Sequence, residues 1–363
     1  MTNSSATTPT TPKAETIVPY LSYSTPSGKP NGALHVFGDV SSPKMALLCP
    51  GFPDDQTVFL PLAKALSKDG ILVGVMCLPG YDDRPEDGVP WESHPRKGFS
   101  YQETAKAVRE ASKALQGVST CRETPEFIGI FFDWGVMAGT IWAYRLEQEA
   151  KDGAQVLRPN KIVFLDVLLG TSSKMPDSIP RSAVPQQLTL HQRLCRIYMI
   201  LLATSSAIQL HLSRRLAVAF TTISFYILYF TGIFPLEMSD IKSRNAIYGD
   251  RMPGSLRCMS MTYMYRNIFS NIFASKTGFR FGLHQDWKTT PVLYLYGKLK
   301  NTQYHSNRSF AMLKREEAEK RSLSRAVGLE GAGHYLFLQK QEECLKHILD
   351  FIRAENTFTP KVA

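Results

Sequence analysis

One junction constrains this chain more than any other feature. The run Phe127-Ile-Gly-Ile-Phe-Phe132 carries no polar side chain, stops at Asp133-Trp134-Gly135 and passes into a helical stretch over residues 136–150. An unbroken apolar run is what a strand buried on both faces requires, and such strands belong to parallel sheets covered by helices. A strand that enters a helix through a sharp turn projects one side chain at the C-terminal edge of the sheet. The helix N-terminus and its free backbone N–H groups favour negative charge there. Asp133 is the residue so placed. Taken alone, it could equally be an ordinary N-cap aspartate.

The rest of the chain repeats the strand–helix alternation that predicts an α/β fold. Residues 45–49 and 71–77 are short apolar runs ending in Pro50-Gly51 and Leu78-Pro79-Gly80, with near-helical apolar spacing over 57–67 between them. A helix is expected over 101–115, with Ser100 and Glu103 at capping-box spacing. Strands follow at 162–165, 291–296 and 325–329, and an amphipathic helix closes the pattern over 343–353. Between about 171 and 285 the pattern becomes helical. The expectation is therefore a mostly parallel eight-stranded-type sheet with helices on both faces. Its core would span residues 16–170 and 286–355, with a helical cap over 171–285. Polar residues 1–15 read as a disordered tail and 356–363 as a C-terminal tail.

Composition removes several function classes. At 44% hydrophobic and 20% charged over 363 residues, the chain can bury a large core. The net charge of +10 is spread along the sequence. Its densest basic run, around Lys314-Arg315 and Lys320-Arg321, is interleaved with Glu316, Glu317 and Glu319 and reads as a solvated helix face. No nucleic-acid-binding signature is present. The six cysteines form no CxxC pair and no secretory signal opens the chain, which fits free thiols in a reducing, cytoplasmic setting. Residues 216–236 carry no charge, and neither do 197–213. A single span at 216–236 would put Asp133 and the C-terminal His334 on opposite sides of a membrane. That stretch is therefore expected as a buried or interfacial cap helix, leaving membrane contact through the cap open.

Four motifs stand in order along residues 33–353. Pro50-Gly51-Phe52-Pro53-Asp54, Leu78-Pro79-Gly80-Tyr81, Asp133-Trp134-Gly135, and Gly331-Ala-Gly-His334 followed by Ile348-Leu-Asp-Phe351 resemble the corresponding segments of epoxide hydrolases and haloalkane dehalogenases. These form the aspartate-nucleophile branch of the α/β-hydrolase superfamily. No GxSxG occurs, so a serine esterase has no candidate nucleophile. The resemblance implies an α/β-hydrolase fold and an epoxide hydrolase-like reaction without cofactor or metal. Asp133 would attack a small apolar organic substrate to form an alkyl ester, and His334 would activate water against it. The backbone N–H groups of Phe52 and Trp134 would form the oxyanion hole. Tyr263 or Tyr265, in a cap helix, would protonate the leaving oxygen.

The departures are informative. Phe131 and Phe132 stand where the elbow usually has a small residue and His. The stretch from Lys288 to Arg315, where the histidine's acid usually lies, contains no Asp or Glu, and Lys300 stands there instead. Asp166, just after the strand at 162–165, is the alternative acid, and a carboxylate–imidazole contact with His334 is expected. Two other readings remain: haloalkane dehalogenase-like or other α/β-hydrolase activity, and a catalytically degraded, membrane-associated member of the group.

Overall fold

In the strands flanking the junction, successive side chains go to opposite faces of the sheet, and both faces are dry. Phe127 and Phe131 join one apolar cluster, whereas Ile128, Ile130 and Phe132 join the other. The structure, a computed structural model, describes residues 15–23, 30–81, 94–153, 156–169, 190–194, 197–233, 236–248, 261–273, 290–300, 304–320 and 322–355. Both expected tails, save residue 15, lie outside the described residues, as do Cys195 and Cys258. The other four cysteines are free.

The strands are β1 (Thr16–Tyr20), β2 (Gly32–Phe37), β3 (Lys44–Cys49), β4 (Leu72–Val75), β5 (Glu126–Phe132), β6 (Lys161–Leu165), β7 (Val167–Leu168), β8 (Val292–Gly297), β9 (Tyr304–His305) and β10 (Arg325–Leu329). Eight of them form one sheet in the order β1-β2-β4-β3-β5-β6-β8-β10, and β7 pairs with β9 beside it. The first two pairings, β1 with β2 and β2 with β4, are antiparallel, and the remaining pairings in the large sheet are parallel. The chain reverses direction of winding around β3 and β5, so the loops after these two strands meet at the sheet's carboxyl edge, where α/β sheets hold their sites.

The helices are α1 (Leu60–Lys68), α2 (Tyr101–Val118), α3 (Trp134–Lys151), α4 (Leu190–Leu194), α5 (Ile197–His211), α6 (Arg214–Phe230), α7 (Met238–Tyr248), α8 (Tyr263–Phe273), α9 (Asn307–Ala318), α10 (Leu336–Gln339) and α11 (Gln341–Arg353). Apolar stripes of α2 and α3 cover one face of the sheet, and those of α1 and α11 cover the other. The Ser100–Glu103 capping box is present at the start of α2. The charged run on α9 is laced by Lys314–Glu317 and Arg315–Glu319 ion pairs, as a solvated face requires.

Helices α4 to α8 all fall in the expected cap segment, but they do not behave alike. α5 packs on both α6 and α8. α7 instead packs on the core, where Tyr248 joins the cluster beneath α1 and α11. The β1–β2 pair and the helical character of residues 307–318 extend the pattern read from sequence.

The bulky Phe131 is accommodated by its neighbours. A Cβ at Gly139 would lie 2.5 Å from the Phe131 ring, and one at Gly129 would also lie 2.5 Å away. Small residues two positions earlier on β5 and in the second turn of α3 thus replace the small residue expected at Phe131 itself. Gly139→Ala should therefore destabilise the fold by about 1–2 kcal/mol, because overpacking outweighs the gain in helix propensity. Urea unfolding of Gly139→Ala, with and without Phe131→Leu, checks this: the second substitution should recover most of the loss.

Candidate active site

The elbow between β5 and α3 holds Asp133 at φ 51° and ψ −120°, a left-handed conformation that a side chain rarely adopts. Such strain costs about 1–3 kcal/mol and persists only where the surroundings over-determine it. They do so here through a close backbone approach. A Cβ on Gly51 would come within 2.5 Å of Asp133 Oδ1 and 2.4 Å of the Trp134 nitrogen. The loop after β3 can thus lie against the elbow, and the Phe52 N–H donates to Asp133 Oδ1 at 2.8 Å. The Trp134 N–H, at the start of α3, also favours the charged form of this carboxylate. The backbone of both loops therefore bears on one carboxyl group.

His334 sits in the loop after β10. Its Nδ1 donates to Asp166 Oδ2 at 2.5 Å, and its Nε2 lies 3.7 Å from Asp133 Oδ2. Asp166 follows β6, is fully buried, and has a positive φ of 69° that turns its carboxylate toward the histidine. The contact expected from sequence is thus present. Sequence reading missed a second partner: Lys300, buried after β8, ion-pairs with Asp166 Oδ1 and donates to the Asp166 carbonyl at 3.1 Å. Where an acid was sought after β8, the fold has a cation that clamps the acid supplied from β6. The degraded-member reading, which rested on a missing acid, the Phe131 elbow and the apolar cap, loses the first of these motives.

The cap tyrosines separate. Tyr265 lines the cavity in front of Asp133, edge-on to Phe52 and Trp134 at centroid distances of 5.1 and 4.9 Å. Tyr263 does not line it, and its hydroxyl donates to the Pro79 carbonyl at 2.8 Å. The expectation for Tyr263 is corrected on geometric grounds. Residues two apart on a helix lie ~200° apart around the axis, so only one of this pair can face the cavity. The cavity offers a different second phenol: Tyr198 on α5, 5.7 Å from the Tyr265 ring. Its only sequence signal was a tyrosine inside an uncharged apolar stretch, which reads as packing. The cavity measures about 270 Å³ and is lined by Asp133, Trp134, Met137, Val167, Leu169, Tyr198, Met199, Tyr265 and Ile268. It is slightly smaller than ligand sites of ~300–1,000 Å³ and mostly apolar, so it suits a small, weakly polar molecule.

Two further residues on α7 hold the loops in place. Asp240 Oδ1 accepts from the Tyr335 N–H at 3.1 Å and the Gln339 amide at 2.9 Å, fixing the loop that carries His334. One turn on, Arg244 donates to Asp54 Oδ1 at 2.7 Å, and the Tyr335 hydroxyl donates to Asp54 Oδ2 at 2.7 Å. The loop after β3 and the loop after β10 are therefore tied together through one buried carboxylate. Neither residue could be found from sequence, because each acts across a long separation.

Burial dominates the electrostatics. It pushes the Asp133 carboxyl up to about 6, opposed by His334 and by the Trp134 and Phe52 N–H groups. Burial also opposes ionisation of Asp166. The Lys300 charge, then the His334 charge and their hydrogen bonds, outweigh it and hold the Asp166 carboxyl below its usual range. Burial alone would lower His334, but Asp166 first, then Asp133 and Asp240, raise it above its ordinary value. Burial keeps the Tyr265 phenol protonated far above neutral pH. No group of metal-ligating side chains occurs among the described residues.

Together the sheet order, the strained elbow after β5 and the histidine loop after β10 define the α/β-hydrolase fold. The solved structures similar to this chain agree. Potato (Solanum tuberosum) epoxide hydrolase I matches with a TM-score of 0.53 at 17% identity, over 89% of this chain and 96% of its own. A structure described among novel epoxide hydrolases of the α/β-hydrolase superfamily from hot-environment metagenomes matches at 0.55 and 13%, over 94% and 99%. A Salmonella enterica protein described only provisionally as an acyltransferase matches at 0.55 and 14%, over 93% and 94%. No family model and no curated protein matches the sequence. Identities this low establish the fold and leave the chemistry to the site.

The His334–Asp166 contact has a direct readout. In an NMR titration the His334 imidazole should have its midpoint above the ordinary 6.5. Asp166→Asn should bring that midpoint down, since the largest favourable field on the imidazolium is removed.

Proposed function

We propose that the protein is an epoxide hydrolase-like enzyme acting on a small apolar epoxide. The observation that carries the proposal is the carboxylate of Asp133 at the elbow, at the start of a helix and held by the Phe52 N–H, facing Tyr265 and Tyr198 across an apolar cavity and His334 on its other side. In the first step an Asp133 oxygen attacks a ring carbon. The ring C–O bond breaks, and the departing oxygen takes a proton from Tyr265 or Tyr198. The product of this step is an ester at Asp133. In the second step His334 takes a proton from water, and the resulting hydroxide adds to the ester carbonyl carbon. The Phe52 and Trp134 N–H groups hold the oxyanion, where one such donor typically contributes ~2.7–4 kcal/mol. Collapse breaks the ester C–O bond, and the departing alkoxide takes the proton from the His334 imidazolium to give the diol, while the proton left on the Asp133 carboxyl returns through solvent to the tyrosinate, restoring the site. Asp166 fixes the histidine tautomer and stabilises the imidazolium, with Lys300 anchoring Asp166.

Epoxide is favoured over haloalkane by the phenols. A departing alkoxide needs a proton, which Tyr265 can supply because burial keeps it protonated. A departing halide needs none. Incubation with epoxide and haloalkane panels tests this reading. The wild type should convert at least one small epoxide to its diol, and Asp133→Asn should lose ~10³-fold or more of that rate. His334→Ala should stop after the first step, and intact-mass spectrometry should show a covalent adduct equal to the mass of the epoxide. Turnover unaffected by Asp133→Asn would remove Asp133 from the mechanism.

A further inference from the structure

The buried sides of α5 and α6 are rich in small and hydroxyl residues, and the residues that α6 turns outward are apolar. On α6 the buried stripe is Ala217, Thr221, Ser224 and Leu228. Leu216, Ile223, Tyr226, Ile227 and Phe230 face outward, with Phe230 80% and Tyr226 61% exposed. α5 buries Ser205, Ser206 and Gln209 along with Tyr198 and Leu202, and exposes Ile200. The two helices are linked by hydroxyls: Thr221 donates to Ser205 Oγ at 2.8 Å, and Ser205 donates to the Leu201 carbonyl at 2.9 Å.

This inverts the pattern of a helix on a water-exposed surface, whose apolar stripe turns inward. In water each large apolar side chain left outside forgoes the stabilisation that burial would give it. Helices that contact one another through small residues and hydroxyls, with apolar residues outward, are packed as for apolar surroundings. The charge distribution points the same way. From Asp177 to Glu237 the sequence has no acidic residue between, yet it contains Arg181, Arg193, Arg196, Arg214 and Arg215. Arg193 and Arg215 are exposed. Arg215 stands in the first turn of α6, so exposed positive charge lies at one end of its apolar outer face, an arrangement complementary to an anionic lipid headgroup layer. α6 has 17 residues, a length of roughly 25 Å against a hydrocarbon core of ~30 Å. No described helix is long and apolar enough to cross a membrane.

We propose that the α5–α6 hairpin is a membrane-docking surface, laying the outer face of α6 into the headgroup–acyl boundary of an anionic bilayer. A second copy of the chain fits less well. A two-fold contact would set this face against itself and bring the arginines of both copies together without an acid to pair them. Docking is independent of the chemistry at Asp133. α5 nevertheless connects the two, because Tyr198 and Met199 on it line the cavity.

The test is co-sedimentation of the full chain with unilamellar vesicles of phosphatidylcholine, with or without phosphatidylserine. The wild type should pellet with the serine-lipid vesicles, and less with phosphatidylcholine alone or at raised salt. The pair Ile223→Ser and Phe230→Ser should lower the partition coefficient by about tenfold or more, since both side chains leave the buried apolar area. Arg215→Glu should weaken binding to the anionic vesicles only. Both variants should keep the wild-type melting temperature, because the substituted side chains are exposed. Failure of the wild type to pellet, or a double variant that binds as well, would overturn the proposal. So would light scattering that shows a dimer without vesicles which the double variant dissolves, combined with no vesicle binding.

Discussion

The structure turns on a close approach between two loops at the sheet's carboxyl edge. Asp133 adopts its strained conformation because the backbone after β3 lies against the elbow at a point where only glycine fits, and because the Phe52 N–H of that loop donates to the carboxylate held there. The apolar strands on either side fix that meeting point. β3 and β5 are paired from Lys44–Glu126 through to Cys49–Phe131, so the loops that follow them leave the sheet at the same height. A carboxylate in this position is partly freed from competition with water, which raises its affinity for protons and sharpens the influence of every nearby dipole.

The second constraint is a buried chain of charges. Lys300, Asp166, His334 and Asp133 alternate in sign when the histidine is protonated, and each is buried or nearly so. Such an arrangement holds together only as a set, because a lone buried charge would be neutralised or expelled. The lysine therefore belongs to the site's electrostatics, although it does not line the cavity. Asp240 and Arg244, one turn apart on α7, perform the complementary mechanical task by tying down the loops that carry the Phe52 N–H and the histidine.

Much of this was legible because the decisive elements are local. A continuous apolar strand followed by Asp-Trp-Gly, and a glycine-rich loop ending in His334, declare themselves within a few residues. Asp166 could be reached by elimination, since the segment before Arg315 holds no acid. The β1–β2 edge was not legible, because short antiparallel edge strands lack the continuous apolar signal of the central ones. Tyr198 was hidden inside an uncharged stretch whose composition speaks of packing. The Tyr263–Tyr265 ambiguity was a matter of helical phase, which two residues of spacing resolve only once the axis is known. Lys300, Asp240 and Arg244 depend on partners more than 90 residues away. The inverted polarity of α6 was visible only as a charge-free run until its buried and exposed stripes could be told apart.

The central claim is that an Asp133 oxygen, not a water molecule, makes the first bond to the substrate. Turnover of a converted epoxide in water labelled with heavy oxygen, followed by mass analysis of the peptide carrying Asp133, tests it most directly. If hydroxide adds to the ester carbonyl, the first turnover places the heavy oxygen in the Asp133 carboxylate, and the first equivalent of diol leaves with an unlabelled oxygen from the protein. If His334 instead drives water straight onto the epoxide, the diol is labelled from the first turnover and the Asp133 peptide keeps its mass, which would contradict the account.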